Sequence, residues 1–180
     1  MVQGQPQVLI SADAIAAKVA ELGARIARDY ATRREPLLLV GVLKGSFIFL
    51  ADLARQIPIP HAVDFIALSS YGKTTTRTDE VRLMMDLRET VAGKHVLVVE
   101  DIVDTGHTLA YLLRLLDARQ PASLKTCTLV EKPARREVDV PLDYVGFEIP
   151  DKWVVGYGLD YADQYRTLPY IGCVEPPRSE

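Results

Sequence analysis

Two adjacent acidic residues are the first feature of this sequence that could do chemistry. Glu100 and Asp101 follow an apolar, β-branched run, and a turn at residues 104–108 leads from them into a helical pattern. A strand, a glycine turn and a helix bring free backbone N–H groups and the positive end of a helix dipole to one point, which suits phosphate. Carboxylates in front of such a cradle suit ribose hydroxyls or Mg²⁺, which prefers hard oxygen ligands. The alternative is structural, with Asp104 or Thr105 serving only as a helix cap.

A second turn from strand to helix carries a lysine. Lys44 and Gly45 follow the apolar run at residues 37–42 and precede a helical pattern over residues 47–57. Glycine lets the backbone approach an anion closely, and lysine adds positive charge. An ordinary turn with an exposed lysine has the same pattern. Residues 69–80 are rich in Ser, Thr and Gly without an apolar period, which predicts a long loop that is either functional or disordered.

The elements that must position these turns alternate between strands and helices. Ser11 is typical of a helix cap, and apolar residues at helical spacing follow it, namely Ile15, Val19, Leu22 and Ile26. A further helix is predicted at residues 108–116. Strands are predicted at residues 37–42, 63–68, 81–85, 95–99, 125–130, 144–149 and 154–157. This order predicts an α/β fold with a mainly parallel sheet flanked by helices, with ligands bound beyond the carboxyl ends of the strands. Residues 1–7 and the Pro176-Pro177 tail are interpreted as unstructured.

Composition and charge narrow the class of protein. The chain has 180 residues, 48% of them hydrophobic and 25% charged, which is ordinary for one globular domain. Its net charge of -3 lacks the basic footprint of a nucleic-acid binder. Cys127 and Cys173 form no disulfide framework, so reduced thiols in a cytoplasmic protein are expected. The apolar stretch at residues 37–43 is too short to span a bilayer, and no secretory signal is evident, so we expect no membrane association.

Four segments, in order along the chain, carry a resemblance to a known family. Residues 98–109 resemble the phosphoribosyl-pyrophosphate motif of type I phosphoribosyltransferases, in which two acids and two hydrophobic residues precede Asp-Thr-Gly-x-Thr. The other three segments resemble hypoxanthine-guanine phosphoribosyltransferases. Residues 43–46 are similar to the pyrophosphate loop, residues 69–72 to the start of the mobile catalytic loop, and residues 145–161 to the purine-binding segment.

The resemblance implies a fold and an activity. The expected fold is type I phosphoribosyltransferase-like. One domain would span residues 1–180, with a core at about 35–143 and a small hood built from the N-terminal segment and residues from about 144 to 174. The expected reaction transfers 5-phosphoribosyl from phosphoribosyl pyrophosphate to N9 of hypoxanthine or guanine, giving IMP or GMP and pyrophosphate. The resemblance also implies Mg²⁺ as cofactor, a mobile lid within residues 69–80, and a homodimer or homotetramer.

The resemblance further implies roles for individual residues, with Asp104 as the candidate general base for the purine proton. The ribose and 5-phosphate would be bound by Glu100, Asp101, Asp104, Thr105, Gly106, His107 and Thr108. The pyrophosphate would be bound by Lys44, Gly45, Ser70, Tyr71 and Arg166. The purine would be bound by Lys132, Trp153, Val154 and Asp160. The metal would be bound by Glu100, Asp101 and Asp160.

Several of these residues also have a purely structural interpretation. An isolated tryptophan such as Trp153 is more often part of a core than a stacking platform, and the family more often carries Phe or Tyr at that position. Lys132 resembles a solvated lysine, Asp160 a turn residue, and Arg166 a surface arginine. His107 stands at a variable position of the motif, so we expect its backbone N–H to contact the phosphate.

Two alternatives to this activity stay open at the level of sequence. One is a phosphoribosyltransferase for another base. Lys132 and the segment 151–153 argue against adenine and pyrimidines, whereas xanthine is harder to exclude. The other is a non-catalytic RNA-binding regulator of the same fold, which the net charge of -3 does little to support.

Overall fold

The computed structural model describes residues 5–71 and 80–175 of the chain. The helices are α1 (Ala12–Tyr30), α2 (Phe47–Arg55) and α3 (His107–Asp117), with a 3₁₀ turn at Pro133–Arg135. The strands are β1 (Gln7–Ile10), β2 (Leu37–Leu43), β3 (His61–Tyr71), β4 (Glu80–Met85), β5 (His95–Val103), β6 (Ser123–Glu131), β7 (Tyr144–Glu148), β8 (Trp153–Val155) and β9 (Ile171–Val174). No helix within the described ranges is long and apolar enough to cross a membrane.

The strands form a large and a small sheet. The large sheet has the order β4-β3-β2-β5-β6-β7, in which β4 alone is antiparallel to its neighbour. Its central strands β2 and β5 are almost continuously buried, as expected for parallel strands covered on both faces. Leu37 pairs with both His61 and His95, so β2, β3 and β5 run in step. The turns that follow β2 and β5 therefore lie at the same edge of the sheet.

Helices cover both faces of this sheet. On one face α1 and α2 contribute to a core that contains Ile15, Leu22 and Phe49, and on the other α3 contributes Leu109, Leu112 and Leu116. The predicted start of α1 is confirmed, since the Ser11 hydroxyl accepts a hydrogen bond from the N–H of Ala14 at 3.2 Å. The predicted α/β fold with a mainly parallel, helix-flanked sheet is confirmed.

The small sheet, with order β1-β9-β8, departs most from the sequence prediction. The strands β1 and β9 were not predicted, and Gln7 lies in β1 rather than in an unstructured tail. These strands have four residues each, too few for an apolar period to be recognised. The strand predicted at residues 154–157 is instead Trp153–Val155, because the chain turns at Gly156.

Two predicted boundaries need correction. The predicted hood segment at about 144–174 begins too early, because β7 (Tyr144–Glu148) pairs with β6 in the large sheet, where Tyr144 is 1% exposed. The predicted loop at residues 69–80 is wrong at both of its ends, because β3 continues to Tyr71, which pairs with Glu80 of β4. Backbone hydrogen bonds between β3 and β4 form this part of the sheet although its residues show no apolar period, so the sequence pattern did not predict it. Residues 72–79 and the predicted lid lie outside the described residues.

Candidate active site

The turn after β5 leaves free backbone N–H groups at the start of α3. Gly106 is the N-cap residue of α3, with φ of 93°, and no side-chain hydrogen bond from the described residues caps this helix. The structural alternative, in which Asp104 or Thr105 caps the helix, is therefore wrong. A Cβ at Gly106 would also lie 2.7 Å from the carbonyl oxygen of Val138, so both conformation and space require glycine. The first N–H groups of α3 are left available for an anion.

A cavity of about 270 Å³ lies at this edge of the sheet. It brings together predicted residues from the turn after β2, from the end of β5 and from the turn that follows β5. The polar and glycine residues that line it are Gly45, Glu100, Asp101, Asp104, Thr105, Gly106 and Thr108. Apolar side chains of Val42, Leu43, Leu68, Ile102, Val103 and Leu109 complete its wall. The size and the lining suit a small phosphorylated ligand.

The acidic pair is held in an unfavourable electrostatic environment. Burial, and then the charge of Asp101, raise the pKa of Glu100 well above its usual range. Burial also raises the pKa of Asp101 to about 6, although backbone N–H groups and the nearby Arg166 oppose this shift. Two adjacent carboxylates that lose solvation in this way would be stabilised by a cation.

The oxygen donors of Glu100 and Asp101 suit Mg²⁺, which can complete its coordination with substrate and water, better than a metal ion that needs all its ligands from the protein. Among the described residues, no three His, Cys, Asp or Glu side chains are arranged to hold a metal ion. Mg²⁺ commonly binds through one or two carboxylates, with substrate phosphates and water as the remaining ligands. Glu100 and Asp101 could supply two such oxygen donors beside the N-terminus of α3. The predicted third ligand, Asp160, forms an ion pair with Arg166 and accepts a hydrogen bond from the N–H of Asp163.

The loop after β2 lies directly against the acidic pair. A Cβ built on Gly45 would overlap the Oδ2 atom of Asp101 and lie 2.8 Å from its Oδ1 atom. The absence of a side chain at Gly45 therefore allows the Asp101 carboxylate to keep its position. The peptide bond between Leu43 and Lys44 is cis. The Lys44 side chain is exposed, and its Nζ atom lies 3.3 Å from the Oδ1 atom of Asp163.

Arg166 joins the segment after β8 to this loop. Its Nη1 atom donates to the carbonyl oxygen of Gly158 at 2.8 Å. Its Nη2 atom lies 2.7 Å from an oxygen of Asp160 and 3.2 Å from the Oδ1 atom of Asp163. The carboxylate of Asp163 is the one that also contacts Lys44. The two predicted pyrophosphate-binding cations, Lys44 and Arg166, thus share one exposed carboxylate. The side chains of Ser70 and Tyr71, also predicted there, lie outside the described part of the chain.

Four charged residues cluster at the other end of the site. Lys132 is buried, and its Nζ atom lies 3.7 Å from Asp104 and 3.9 Å from Asp151. Arg135 donates from Nε to the Oδ1 atom of Asp104 at 2.9 Å, and it also lies 3.8 Å from Asp151. Lys132 is therefore not a solvated lysine, and its ammonium group is held between two carboxylates.

The aromatic side chain predicted to stack on a base is exposed. Trp153 is 58% exposed at the start of β8, and its ring meets that of Tyr161 edge-to-face, with centroids 6.0 Å apart. It is therefore not a core residue and leaves a large aromatic surface available. Val154 is buried, so its backbone alone could face a base, and β8 is an edge strand of the small sheet.

Main-chain hydrogen bonds join the cradle to the segment that carries Lys132. The N–H groups of Glu137 and Val138 both donate to the carbonyl oxygen of Thr105 at 3.0 Å. The N–H of Lys132 donates to the carbonyl oxygen of Val103 at the same distance. The His107 side chain lies 3.0 Å from Glu137, an ion pair when the histidine is protonated, so it turns toward this segment.

Sequence reasoning gave no role to Arg135 or Asp163, and it named Asp151 only as part of the segment 151–153. For Arg135 a signal was present, because Pro133 favours the first position of a helical turn. In a 3₁₀ turn, side chains three residues apart eclipse, which places Arg135 near Lys132. Asp163 also had a local signal, because Arg166 lies three residues further on. The contacts of Asp151 with Lys132 and of Asp163 with Lys44 join residues distant in sequence, so no local pattern indicates them.

A mainly parallel α/β sheet whose carboxyl edge carries an acidic pair and a helix N-terminus with free N–H groups is typical of phosphate-binding enzymes. The chain belongs to the phosphoribosyl transferase domain family, whose model matches residues 9–162. It is 51% identical over 168 residues to the hypoxanthine phosphoribosyltransferase of Salmonella typhimurium, covering 93% of this chain and 94% of that protein. It is 49% identical over 173 residues to the hypoxanthine-guanine phosphoribosyltransferase of Mycobacterium tuberculosis, covering 94% and 86%.

Solved structures extend this similarity to the fold. The crystal structure of a hypoxanthine-guanine phosphoribosyltransferase from Bacillus anthracis matches with a TM-score of 0.88 and 45% identity, over 97% of this chain and 100% of that one. The hypoxanthine phosphoribosyltransferase of Trypanosoma cruzi also matches with a TM-score of 0.88, at 43% identity over 94% and 95%. The predicted family and its type I phosphoribosyltransferase-like fold are confirmed.

Proposed function

We propose that this protein transfers 5-phosphoribosyl from phosphoribosyl pyrophosphate to N9 of hypoxanthine or guanine, giving IMP or GMP and pyrophosphate. One observation carries the proposal. The carboxyl edge of the sheet combines a phosphate cradle, an acidic pair and a buried lysine beside Asp104. These three features match the 5-phosphate, the ribose and the 6-oxo group of one nucleotide. Relatives about half identical to the chain carry the names of this activity.

The donor binds along the cradle and the acidic pair. The backbone N–H groups at Gly106, His107 and Thr108, with the Thr105 and Thr108 hydroxyls, bind the 5-phosphate. Glu100 and Asp101 bind the ribose side and Mg²⁺, with Asp160 toward the pyrophosphate. Bound there, Mg²⁺ would neutralise the charge of the pyrophosphate leaving group.

The pyrophosphate is bound by residues after β2 and β8. Lys44 and Arg166 supply positive charge, and Gly45 lets the backbone come close, while Ser70 and Tyr71 are proposed to assist. In the free protein both cations contact Asp163, whose carboxylate is exposed. Pyrophosphate, with its higher charge, replaces this weak surface partner.

The purine binds between the Lys132 end of the site and Trp153. Lys132 offers donors and no acceptor, which fits the 6-oxo oxygen of hypoxanthine or guanine and not the amino group of adenine. Trp153 stacks on the ring, and the Val154 backbone contacts its edge. Asp104 accepts the imidazole proton of the purine as the bond from N9 to the ribose forms.

The proposal also covers the cellular compartment and the oligomeric state of the protein. Cys127 and Cys173 are both free thiols, which supports a reducing compartment, and we assign the protein to the cytoplasm. We propose a homodimer or homotetramer, as the family resemblance implies. The protein needs no nucleic-acid or membrane partner for this activity.

The test is an assay of the purified protein with phosphoribosyl pyrophosphate, Mg²⁺ and each of hypoxanthine, guanine, xanthine and adenine. Hypoxanthine and guanine should give nucleotide, and adenine should be used ~10,000-fold less well, because its amino group offers the Lys132 ammonium group no acceptor. Lys94→Gln is a matched control, because Lys94 pairs with exposed Glu89 before β5, at the other edge of the sheet. Nucleotide formation from adenine as readily as from hypoxanthine would contradict the proposal. Salt-dependent binding of single-stranded RNA without turnover would favour the regulator instead.

A further inference from the structure

One short turn supplies both of the cations that contact Asp104. Lys132 is the N-cap residue of the 3₁₀ turn at Pro133–Arg135, and the N–H of Arg135 donates to the Lys132 carbonyl oxygen at 3.0 Å. Lys132 approaches the Oδ2 atom of Asp104, and Arg135 donates to its Oδ1 atom. The carboxylate is therefore contacted at one oxygen by each cation.

The two contacts differ in kind. The Lys132 ammonium group lies 3.7 Å from Asp104 and 3.9 Å from Asp151, beyond hydrogen-bond distance of both, and only 9% of its side chain is exposed. The Arg135 contact is a hydrogen bond of 2.9 Å from a side chain that is 46% exposed. Within the described part of the chain, this is the one side-chain hydrogen bond that fixes the Asp104 carboxylate.

We propose that Arg135 is a positioning residue, which holds the Asp104 carboxylate through Oδ1 so that Oδ2 faces the proton of the bound purine. This inference rests on the proposed function, in which Asp104 accepts that proton and Lys132 binds the 6-oxo group. Once Lys132 turns toward the purine, its electrostatic contact with Asp104 weakens. Arg135 then keeps the carboxylate in place, so Lys132 is free to bind the 6-oxo group of the purine.

The proton and electron balance of the step requires no further group. As the bond from N9 to the ribose C1′ forms, the bond from C1′ to pyrophosphate breaks, and its electron pair leaves with pyrophosphate. The imidazole proton of the purine moves to Oδ2 of Asp104. Arg135 keeps its own proton throughout, since guanidinium does not titrate in this range and Asp104 raises its pKa further.

The contacts around Asp104 give the inference a signature in the kinetics. Lys132 and Arg135 face the carboxylate from the 3₁₀ turn, and Asp151, after β7, contacts both cations. A carboxylate that loses its hydrogen bond to Arg135 is misplaced for proton transfer, whereas the donor-binding residues keep their positions. Removing Arg135 therefore lowers kcat and leaves the KM for phosphoribosyl pyrophosphate near the wild-type value. A residue that only supported the turn would lower the rate in step with a loss of folded protein.

The experiment compares Arg135→Gln and Arg135→Lys with Arg119→Gln as matched control. Arg119 forms a two-point ion pair with the exposed Asp86 and has no place in the proposed site. Arg135→Gln should lower kcat about 10- to 100-fold, because a displaced catalytic group costs about that factor. The KM for phosphoribosyl pyrophosphate and the Tm should stay near the wild-type values. Arg135→Lys should restore part of the rate, and Arg119→Gln should match the wild type.

Three outcomes would overturn the inference. The first is a wild-type kcat in Arg135→Gln. The second is a raised KM for the purine with unchanged kcat, which would make Arg135 a base-binding residue. The third is a rate loss in Arg135→Gln that accompanies a lowered Tm and disappears when the assay is run well below that Tm, which would make the role structural. Loss of all nucleotide formation in the wild type would instead overturn the proposed function itself.

Discussion

Replacing Gly45 by alanine should disable the site by displacing Asp101. The new methyl carbon would overlap Oδ2 of Asp101 and lie 2.8 Å from its Oδ1, and Cβ atoms essentially never come within 3.0 Å of such neighbours. The carboxylate must therefore move by more than about 1 Å, and displacements of this size cost about 100-fold in rate. That factor corresponds to about 2.7 kcal/mol of transition-state stabilisation.

The same displacement should leave the fold intact. Gly45 does not have the positive φ that disfavours alanine, so the backbone accepts the substitution. Burial raises the pKa of Asp101 to about 6, which means that its charged form is held at a cost near neutral pH. If the carboxylate moves toward water, the free-energy cost of burying its charge is relieved. The Tm of Gly45→Ala at pH 7.5 should therefore be equal to or above that of the wild type, because residues that serve activity often reduce the stability of the fold.

The assay measures kcat/KM for phosphoribosyl pyrophosphate at saturating Mg²⁺ and hypoxanthine, with Tm measured in parallel. Gly93→Ala is the matched control, because nothing lies within 4 Å of its Cβ position while its φ of 71° strains alanine. It should lower Tm and leave kcat/KM unchanged, the reverse of the pattern at Gly45. A kcat/KM within about threefold of wild type in Gly45→Ala would refute the reasoning that the loop positions Asp101.

Four further predictions concern the acidic and purine-binding residues. Asp104→Asn should lower the forward kcat by ~100- to 10,000-fold with a small change in donor KM, and loss of donor binding with an intact chemical step would contradict the general-base role. Because the pKa of Asp101 is raised to about 6 and that of Glu100 is also raised, protons compete with Mg²⁺ below about pH 6. Titration calorimetry should show Mg²⁺ affinity falling from pH 7.5 to 5.5 with proton release on binding, whereas a flat profile would remove these carboxylates from the metal site. Trp153→Ala should raise KM about 5- to 150-fold for every accepted base alike. Lys132→Gln should narrow the gap between hypoxanthine and adenine, and an unchanged ratio of their kcat/KM values would remove Lys132 from base selection.

The parts of the molecule that sequence predicts well are contiguous in the chain. The strand, the acidic pair, the glycine turn and the helix of residues 95–117 follow one another directly, so local rules recognise them together. The α/β fold followed from the alternation of such segments. The small sheet escaped prediction because β1 and β9 pair across almost the whole chain, Gln7 opposite Cys173, and neither has the length to show a period.

The site residues also divide into those that are contiguous in sequence and those that the fold brings together. Thr105, Gly106 and Thr108 belong to one motif, and the structure brings them into one cavity with Gly45. The contacts of Arg135 and Asp151 depend on how β5, β6 and β7 lie side by side, which the residue types alone do not specify. The roles assigned to the side chains stay predictions until variants are measured.

The main-chain bonds between the turn after β5 and the segment at residues 132–138 have a consequence for what the proposed site would recognise. Thr105 accepts two N–H groups of that segment and Val103 accepts a third, so the backbone at the two ends of the proposed site is joined directly. If phosphate binds at the turn and the purine at Lys132, these bonds set the distance between the two binding positions. We therefore expect a nucleoside without its phosphate to occupy one position only, and a nucleotide with a longer linker to fail to reach both. Selection by ligand length would then accompany selection by the chemistry at each end.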